Sequence, residues 1–374
     1  MDFDYSEDQQ LLQESVQRFV RENYSFEQRR QLVATEQGYA DAHWQQFAEL
    51  GWLGIPFPEE HGGLGMSGVE TMVVMEAIGN GLVAEPYLST VVMGGGAVAL
   101  AGSDEQKAEI LPAVAEGQCK LAFAFAERQA RYNLQDVEVR AAKSNGGYQL
   151  SGMKSVVFGA PTADRFVVSA RTAGGSRDAD GITLFLVDKD AAGLSVRGYP
   201  TADGLRAGEV TLDNTPARGV LGDVDGGLAT VEEVVDRAIA AVSAEAVGLM
   251  GTLNDMTLEY LKTREQFGQP IGRFQVLQHR MVDMFIAHEE AKSMAMMAAM
   301  RIDEDDADAR KKAMSAAKVQ VGKSARYVGQ QSIQLHGGIG MTDEYAAGHY
   351  FKRLTMIDRS FGDNDYHLRR YAAL

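Results

Sequence analysis

A single cysteine, Cys119, stands among 374 residues. That excludes an internal disulfide and any Cys-x-x-Cys metal knuckle, and gives no sign of an oxidising compartment. Proline is scarce at 8, and the 40 glycines are dispersed rather than periodic, so collagen-like and disordered chains are poor descriptions. Basic residues are in deficit: 36 Lys and Arg face 52 Asp and Glu, for a formal charge of -16 and a pI near 4.9. Such a field opposes non-specific nucleic-acid and anionic-membrane binding, and an anionic small ligand would need a local basic pocket. No stretch approaches the roughly 18 apolar residues of a membrane span, and the opening MDFDYSEDQQLLQ lacks the basic and apolar regions of a signal peptide. The chain reads as a soluble cytoplasmic protein with neither nucleic-acid partner nor membrane insertion. Its 45% hydrophobic and 24% charged content is ordinary globular composition, and the length suits two or three domains.

Residues 1–118 are patterned as helices. Ser6 with Gln9 forms a capping box ahead of a stripe of Leu11, Leu12, Val16, Phe19 and Val20. Ser67 with Glu70, and Ser103 with Gln106, introduce two more apolar runs in the same way. Over 119–226 the texture changes to short alternating or β-branched runs: LAFAFAE, DVEVRA, GYQLSG, DRFVVSAR, GITLFLVD and EVTLD. They predict a β-barrel, with a hairpin turn at Asn145-Gly146-Gly147. Over 227–374 long helical patterns return, broken at Phe267-Gly268-Gln269-Pro270, at the acidic DEDDAD (303–308) and at His336-Gly337-Gly338, and they predict a four-helix bundle. The acidic block reads as a solvated loop between helices.

Several motif fragments have plainer explanations. Gly63-x-Gly65-x-x-Gly68 follows IPFPEEH, which is no strand, and is better read as a tight loop before a capped helix. Gly322-Lys323-Ser324 lacks the first phosphate-loop glycine, Ala317 standing there, and falls mid-helix. His288-Glu289 has Lys292 where a second zinc histidine belongs. Ser151-x-x-Lys154 lies among strand fragments without its companion motifs. Met294, Met296, Met297 and Met300 are assigned to the core rather than to a cofactor.

Two segments say more. EYLKTREQFGQPIGRFQVLQHRMVDM (259–284) is a helix, a tight turn and another helix. That arrangement sets Arg264, Phe267 and Gln275 near exposed backbone amides, which suits a pyrophosphate and an adenine ring. QQSIQLHGGIGMTDEYAAGHYFKRL (330–354) carries three glycines after a helix, where a backbone or ligand can approach closely. On residue types alone, helix capping explains both equally well.

Together these segments, with ELGWLGIPFPEEHGGLG (49–65) and GLRAGEVTLDNTPA (204–217), resemble the acyl-CoA dehydrogenase family from end to end. More narrowly, AEPYL (84–88), AFAERQARYNL (124–134) and GMTDEYAAGHYFKRL resemble the small-subunit branch of its pimeloyl-CoA dehydrogenases. The resemblance implies an α+β fold with an N-terminal helical domain (1–118), a middle β-barrel (119–226) and a C-terminal four-helix bundle (227–374). It implies FAD bound across a subunit interface, an acyl-CoA substrate and an electron-transfer flavoprotein as acceptor. Motif matching assigns Arg264, Phe267, Gln275, Gln334, Gly337 and Gly338 to the FAD nucleotide.

The departures are as informative. At the usual position of the catalytic glutamate this chain has Gly362, and at the alternative position it has Ala238. Weak replacements for the base are Asp363 and Glu245. A family Trp-x-Thr that faces the flavin is replaced within Lys154-Ser155-Val156-Val157. The family's glycine-bearing Thr-Glu-Pro loop becomes Ala126-Glu127-Arg128-Gln129-Ala130-Arg131-Tyr132, whose Arg128 and Arg131 suit CoA phosphates. The expectation is a FAD-dependent acyl-CoA dehydrogenase subunit without the usual glutamate, working with a second subunit. The alternatives are a homo-oligomer using Asp363, a non-catalytic homologue, or a flavin oxidase or monooxygenase.

Overall fold

The computed structural model describes residues 5–144 and 146–374. Helices α1 (Glu7–Asn23), α2 (Phe26–Ala34), α3 (Asp41–Glu49), α4 (Gly68–Gly81), α5 (Gly96–Ala101) and α6 (Asp104–Ala115) come first. Strands β1 (Leu121–Ala124), β2 (Arg140–Ser144), β3 (Gly147–Phe158), β4 (Arg165–Arg171), β5 (Ile182–Asp188), β6 (Leu194–Pro200), β7 (Arg206–Pro216) and β8 (Gly219–Leu221) follow. Helix α7 (Leu228–Thr263), the short pair β9 (Glu265–Gln266) and β10 (Gln269–Pro270), and helices α8 (Gln275–Arg301), α9 (Ala307–His336), α10 (Ala346–Arg359) and α11 (Asn364–Ala373) complete the chain. Two compact units divide it: Met1–Gln31, Gly68–Val83 and Ile239–Leu374 form one, and Leu32–Ser67 and Ala84–Ala238 form the other.

In the first unit, Ser6 and Gln9 exchange both capping bonds at the start of α1, at 3.2 and 3.0 Å. The buried stripe there is Val16, Phe19 and Val20; Leu11, one position off that face, is 64% exposed, contrary to expectation. The acidic break between α8 and α9 behaves as a cap: Asp306 accepts from the amides of Asp308 and Ala309. On α8 the buried positions are Met284, Ala291, Ala295, Ala298 and Ala299, while Met294, Met296 and Met297 are only half-buried and Met300 is exposed. The methionine core assignment is therefore corrected; α8 approaches its neighbours through alanines, whose small side chains permit close packing.

His367 on α11 is fully buried between Ser315 Oγ (3.3 Å) and the Phe361 carbonyl (3.1 Å). Burial, reinforced by the Lys318 and Arg370 charges, pushes its pKa down to about 3. The unfolded chain thus binds a proton below pH 6.5 that the fold refuses, so stability falls as pH falls from there towards 3. His367→Asn is expected to flatten this acid limb by up to about 1.4 kcal/mol per pH unit, read from denaturant midpoints between about pH 7 and 4.

In the second unit the strand order is β6-β7-β3-β2-β4-β5-β8, with β1 parallel to β4. The path is open, so the barrel expectation is corrected: β2 meets β4 at one residue pair, Arg140 with Arg171, too slight a joint to carry the continuous stagger of a closed barrel. Two strand groups instead enclose a core that includes Leu150, Phe166, Phe185 and Val210. β6 and β8 were not anticipated; β6 is mostly exposed, and its short alternation places Leu194 and Val196 only partly against the core. Of the expected Asn145-Gly146-Gly147 turn, Asn145 lies outside the described residues, and Ser144 pairs with Gly147 across the hairpin.

Candidate functional site

At the end of α7 the Arg264 amide bonds the Tyr260 carbonyl (2.8 Å), and the Arg264 carbonyl accepts from the Ile271 amide (2.8 Å). Between them β9 and β10 pair antiparallel, Gln266 opposite Gln269, leaving Phe267-Gly268 as a two-residue tip. Both tip residues have positive φ, 56° and 77°, the geometry of a type I′ turn, which normally takes asparagine and glycine. Phe267 therefore bears a backbone cost of order 1 kcal/mol. Its ring is 90% exposed, touching only the edge of Phe274 at 6.1 Å. The Arg264 and Gln275 side chains are exposed and make no ion pair or side-chain hydrogen bond among the described residues. Gln275 opens α8, whose N-cap Phe274 supplies no side-chain acceptor to the first amides.

The second motif closes α9. Gln334 is exposed and unengaged among the described residues, and Gly337 (φ 62°) and Gly338 face open space. Two contacts bring the motifs to the same end of their helices: Thr257 Oγ1 to Ser332 Oγ at 2.8 Å, and the Tyr260 ring over His336 at 4.7 Å. The His336 Nδ1 donates to the Ser332 carbonyl (2.8 Å), which leaves Nε2 to accept from the Tyr345 hydroxyl (3.1 Å). Burial lowers its pKa, so the imidazole stays neutral. The sequence reading missed Tyr260 and Tyr345, and took His336 only as the end of a helix. The available signal was an aromatic one turn before Arg264 and a histidine abutting the glycine pair.

The carboxylates considered as replacement bases are both engaged. Glu245 is buried on α7, and Arg353 Nε and Nη2 each reach one of its oxygens at 2.6 Å. Asp363 is the N-cap of α11: Oδ1 accepts from the Tyr366 amide (3.0 Å), and Oδ2 pairs with Arg359 (3.3 Å).

In the second unit Lys154 Nζ sits fully buried, 2.7 Å from Glu127 Oε1, 3.0 Å from Ser169 Oγ and 3.2 Å from the Phe125 carbonyl. Glu127 also accepts from the Glu138 and Val139 amides. Burial opposes its charge, but Lys154 and these donors outweigh it and hold the carboxyl below its usual range; burial pushes Lys154 down to about 8. The pair, with the Ser155 amide on the Ala126 carbonyl (2.9 Å), clamps the two segments where the family pattern meets the flavin. Ser151, by contrast, is exposed and bonds Asn214, away from Lys154. Val156 occupies a register shift in β3 with φ 53°, an outlier for a β-branched residue, and about half of it is exposed. Arg128 and Arg131 are exposed without ion-pair partners among the described residues.

FAD, the expected cofactor, fits this chain unevenly. The open Gly337-Gly338 turn, the unengaged Arg264 and the exposed Phe267 ring fit its nucleotide end. The clamped 126–127 and 155–157 segments offer an aliphatic Val156 where a stacking ring is the family pattern. Among the described residues there is no cluster of three potential metal ligands, and no helix is long and apolar enough to cross a membrane.

Residues 6–118, 122–215 and 225–373 match, in turn, the N-terminal, middle and C-terminal domains of acyl-CoA dehydrogenase. The chain belongs to the acyl-CoA dehydrogenase family, whose cofactor is FAD. It is 29% identical to the mitochondrial isovaleryl-CoA dehydrogenase of Solanum tuberosum over 96% of this chain and 89% of that protein. Among solved structures, a variant of the Tcur3481-Tcur3483 steroid ACAD is 30% identical with a TM-score of 0.89, covering 98% of this chain and 97% of that one. The ChsE4-ChsE5 complex from Mycobacterium tuberculosis is 28% identical with a TM-score of 0.89, covering 100% and 98%.

Proposed function

We propose that this chain is the subunit without the usual catalytic glutamate in a two-subunit FAD-dependent acyl-CoA dehydrogenase. The observation that carries the reading is the unengaged set of Arg264, Phe267, Gln275 and Gln334 around an open glycine turn, in a chain whose family base position is Gly362. Unused donors beside a strained and exposed aromatic tip are suited to a ligand held mainly by a neighbouring chain. When bound, FAD supplies the hydride acceptor for α,β-desaturation of an acyl-CoA thioester. Arg264 meets its pyrophosphate, Phe267 packs against its adenosine end, Gln275 and Gln334 donate to it, and Gly337 and Gly338 allow close approach. Arg128 and Arg131 meet CoA phosphates. The exposed Val276, Val282, Phe285 and Ile286 on α8 supply an apolar face for association. The likeness to two-component assemblies, one of them a steroid ACAD, supports a hetero-oligomer. The pimeloyl-type resemblance adds a dicarboxylic acyl group as the other candidate, and the family resemblance an electron-transfer flavoprotein as acceptor.

The test is the visible spectrum of the chain purified alone, quantified as FAD per polypeptide, and again after co-expression with a glutamate-bearing homologue from the same genome. Little flavin alone and recovery on co-expression is expected; about one FAD per chain, bleached by acyl-CoA without a partner, overturns the reading. The competing homo-oligomer has a clean probe in Asp363→Asn, because asparagine caps a helix as well as aspartate but accepts no proton. Unchanged thermal stability and unchanged turnover are expected, and loss of turnover with stability intact would assign Asp363 as base.

A further inference from the structure

We propose that the turn 359–363 is built around glycine and fastened by Lys318, so that this chain has no room for a glutamate at position 362 and cannot supply the α-proton acceptor from that position. The inference rests on the two-subunit reading and adds its structural cause. It starts from the backbone: Gly362 has φ 118°, a conformation L side chains rarely adopt, and the preceding Phe361 is also left-handed at φ 60°. A Cβ on residue 362 would lie 2.5 Å from Tyr366 Cδ1 and 2.6 Å from His367 Nε2. His367 cannot withdraw cheaply, since it is fully buried between Ser315 and the Phe361 carbonyl, and the Asp363 cap fixes the backbone from which the Tyr366 ring projects.

Lys318 closes the turn from beneath. Its fully buried ammonium sits 2.8 Å from the Ile357 carbonyl, 3.1 Å from that of Asp358 and 2.9 Å from that of Gly362, so its three protons satisfy the last carbonyls of α10 and the turn itself. Lys318 is thus a positioning residue, acting through the Gly362 carbonyl. The position is not a vacancy left by one substitution. Backbone, packing and fastener all agree on glycine, and the adjacent Asp363 is consumed as cap and ion-pair partner.

Full-length wild type, Gly362→Glu, Gly362→Ala and Lys318→Met are compared by thermal denaturation and by hydrogen exchange of peptides spanning 355–367 and, as a control, 245–258. Gly362→Glu and Lys318→Met are expected to speed exchange in the first region by about tenfold or more and to leave the control unchanged. If Gly362→Glu fails to fold, Gly362→Ala carries the test, since it adds only the Cβ. A Gly362→Glu or, failing that, Gly362→Ala chain with wild-type melting and exchange overturns the proposal. The subunit reading fails separately, on the flavin content and turnover of the unmodified chain alone.

Discussion

Replacing Arg264 by alanine is expected to lower FAD retention of the assembled enzyme by about ten- to a hundredfold while leaving this chain folded. The two halves of that expectation have different grounds. Retention falls because a guanidinium hydrogen-bonded to a phosphate contributes about 1.5 to 3 kcal/mol, and Arg273 is the other cation on the 264–275 segment. The fold survives because the Arg264 side chain is exposed and bonds nothing among the described residues; only its backbone belongs to the hairpin. Equilibrium dialysis of FAD against the co-expressed assembly, beside circular dichroism of the variant alone, separates the effects. Arg264→Lys is expected to recover only part of the loss, because an ammonium cannot make the paired contacts of a guanidinium. Unaltered retention in Arg264→Ala would remove Arg264 from the nucleotide site.

Glu245→Ala should produce the opposite pattern, a loss of about 3 to 5 kcal/mol of stability with no specific effect on FAD. The Arg353 guanidinium, 6% exposed, would lose the carboxylate it meets through two 2.6 Å bonds. Glu245→Gln keeps one acceptor but adds donors facing Arg353, so it should be little better. The informative variant is Glu245→Met with Arg353→Met, which removes both charges at roughly conserved volume and is expected to regain most of the loss. Chemical denaturation of wild type, Glu245→Met, Arg353→Met and the double variant completes a double-mutant cycle. A Glu245→Ala chain of wild-type stability would mean the pair is dispensable and would reopen Glu245 as a catalytic carboxylate.

Much of the fold was legible because it is local. The boxes at Ser6 and Ser103, the capped break at 303–308 and the continuous apolar run of 182–188 act over a few residues, and the structure has a helix, cap or strand at each. Strand β6 was missed for the complementary reason: its alternation covers only Leu194 to Arg197 and is only partly buried, so pairing with β7 is what fixes it as a strand. Sheet closure was likewise illegible, since strand count and spacing are the same whether β6 and β8 meet or not.

The site divides along the same line. Residue types and spacing identified the Arg264 hairpin and the Gly337-Gly338 turn, and the family pattern exposed Gly362 where a glutamate is usual. What those residues touch depends on partners far along the chain. Arg353 is 108 residues from Glu245, and Lys318 is 44 from the Gly362 carbonyl it holds. The sequence by itself determined the family, most of the helices and the central strands. Only the tertiary structure decided that Glu245 is an ion-pair member and that Gly362 is enclosed. A carboxylate's chemistry is set by its neighbours and its access to water, and for Glu245 the deciding neighbour lies far along the chain.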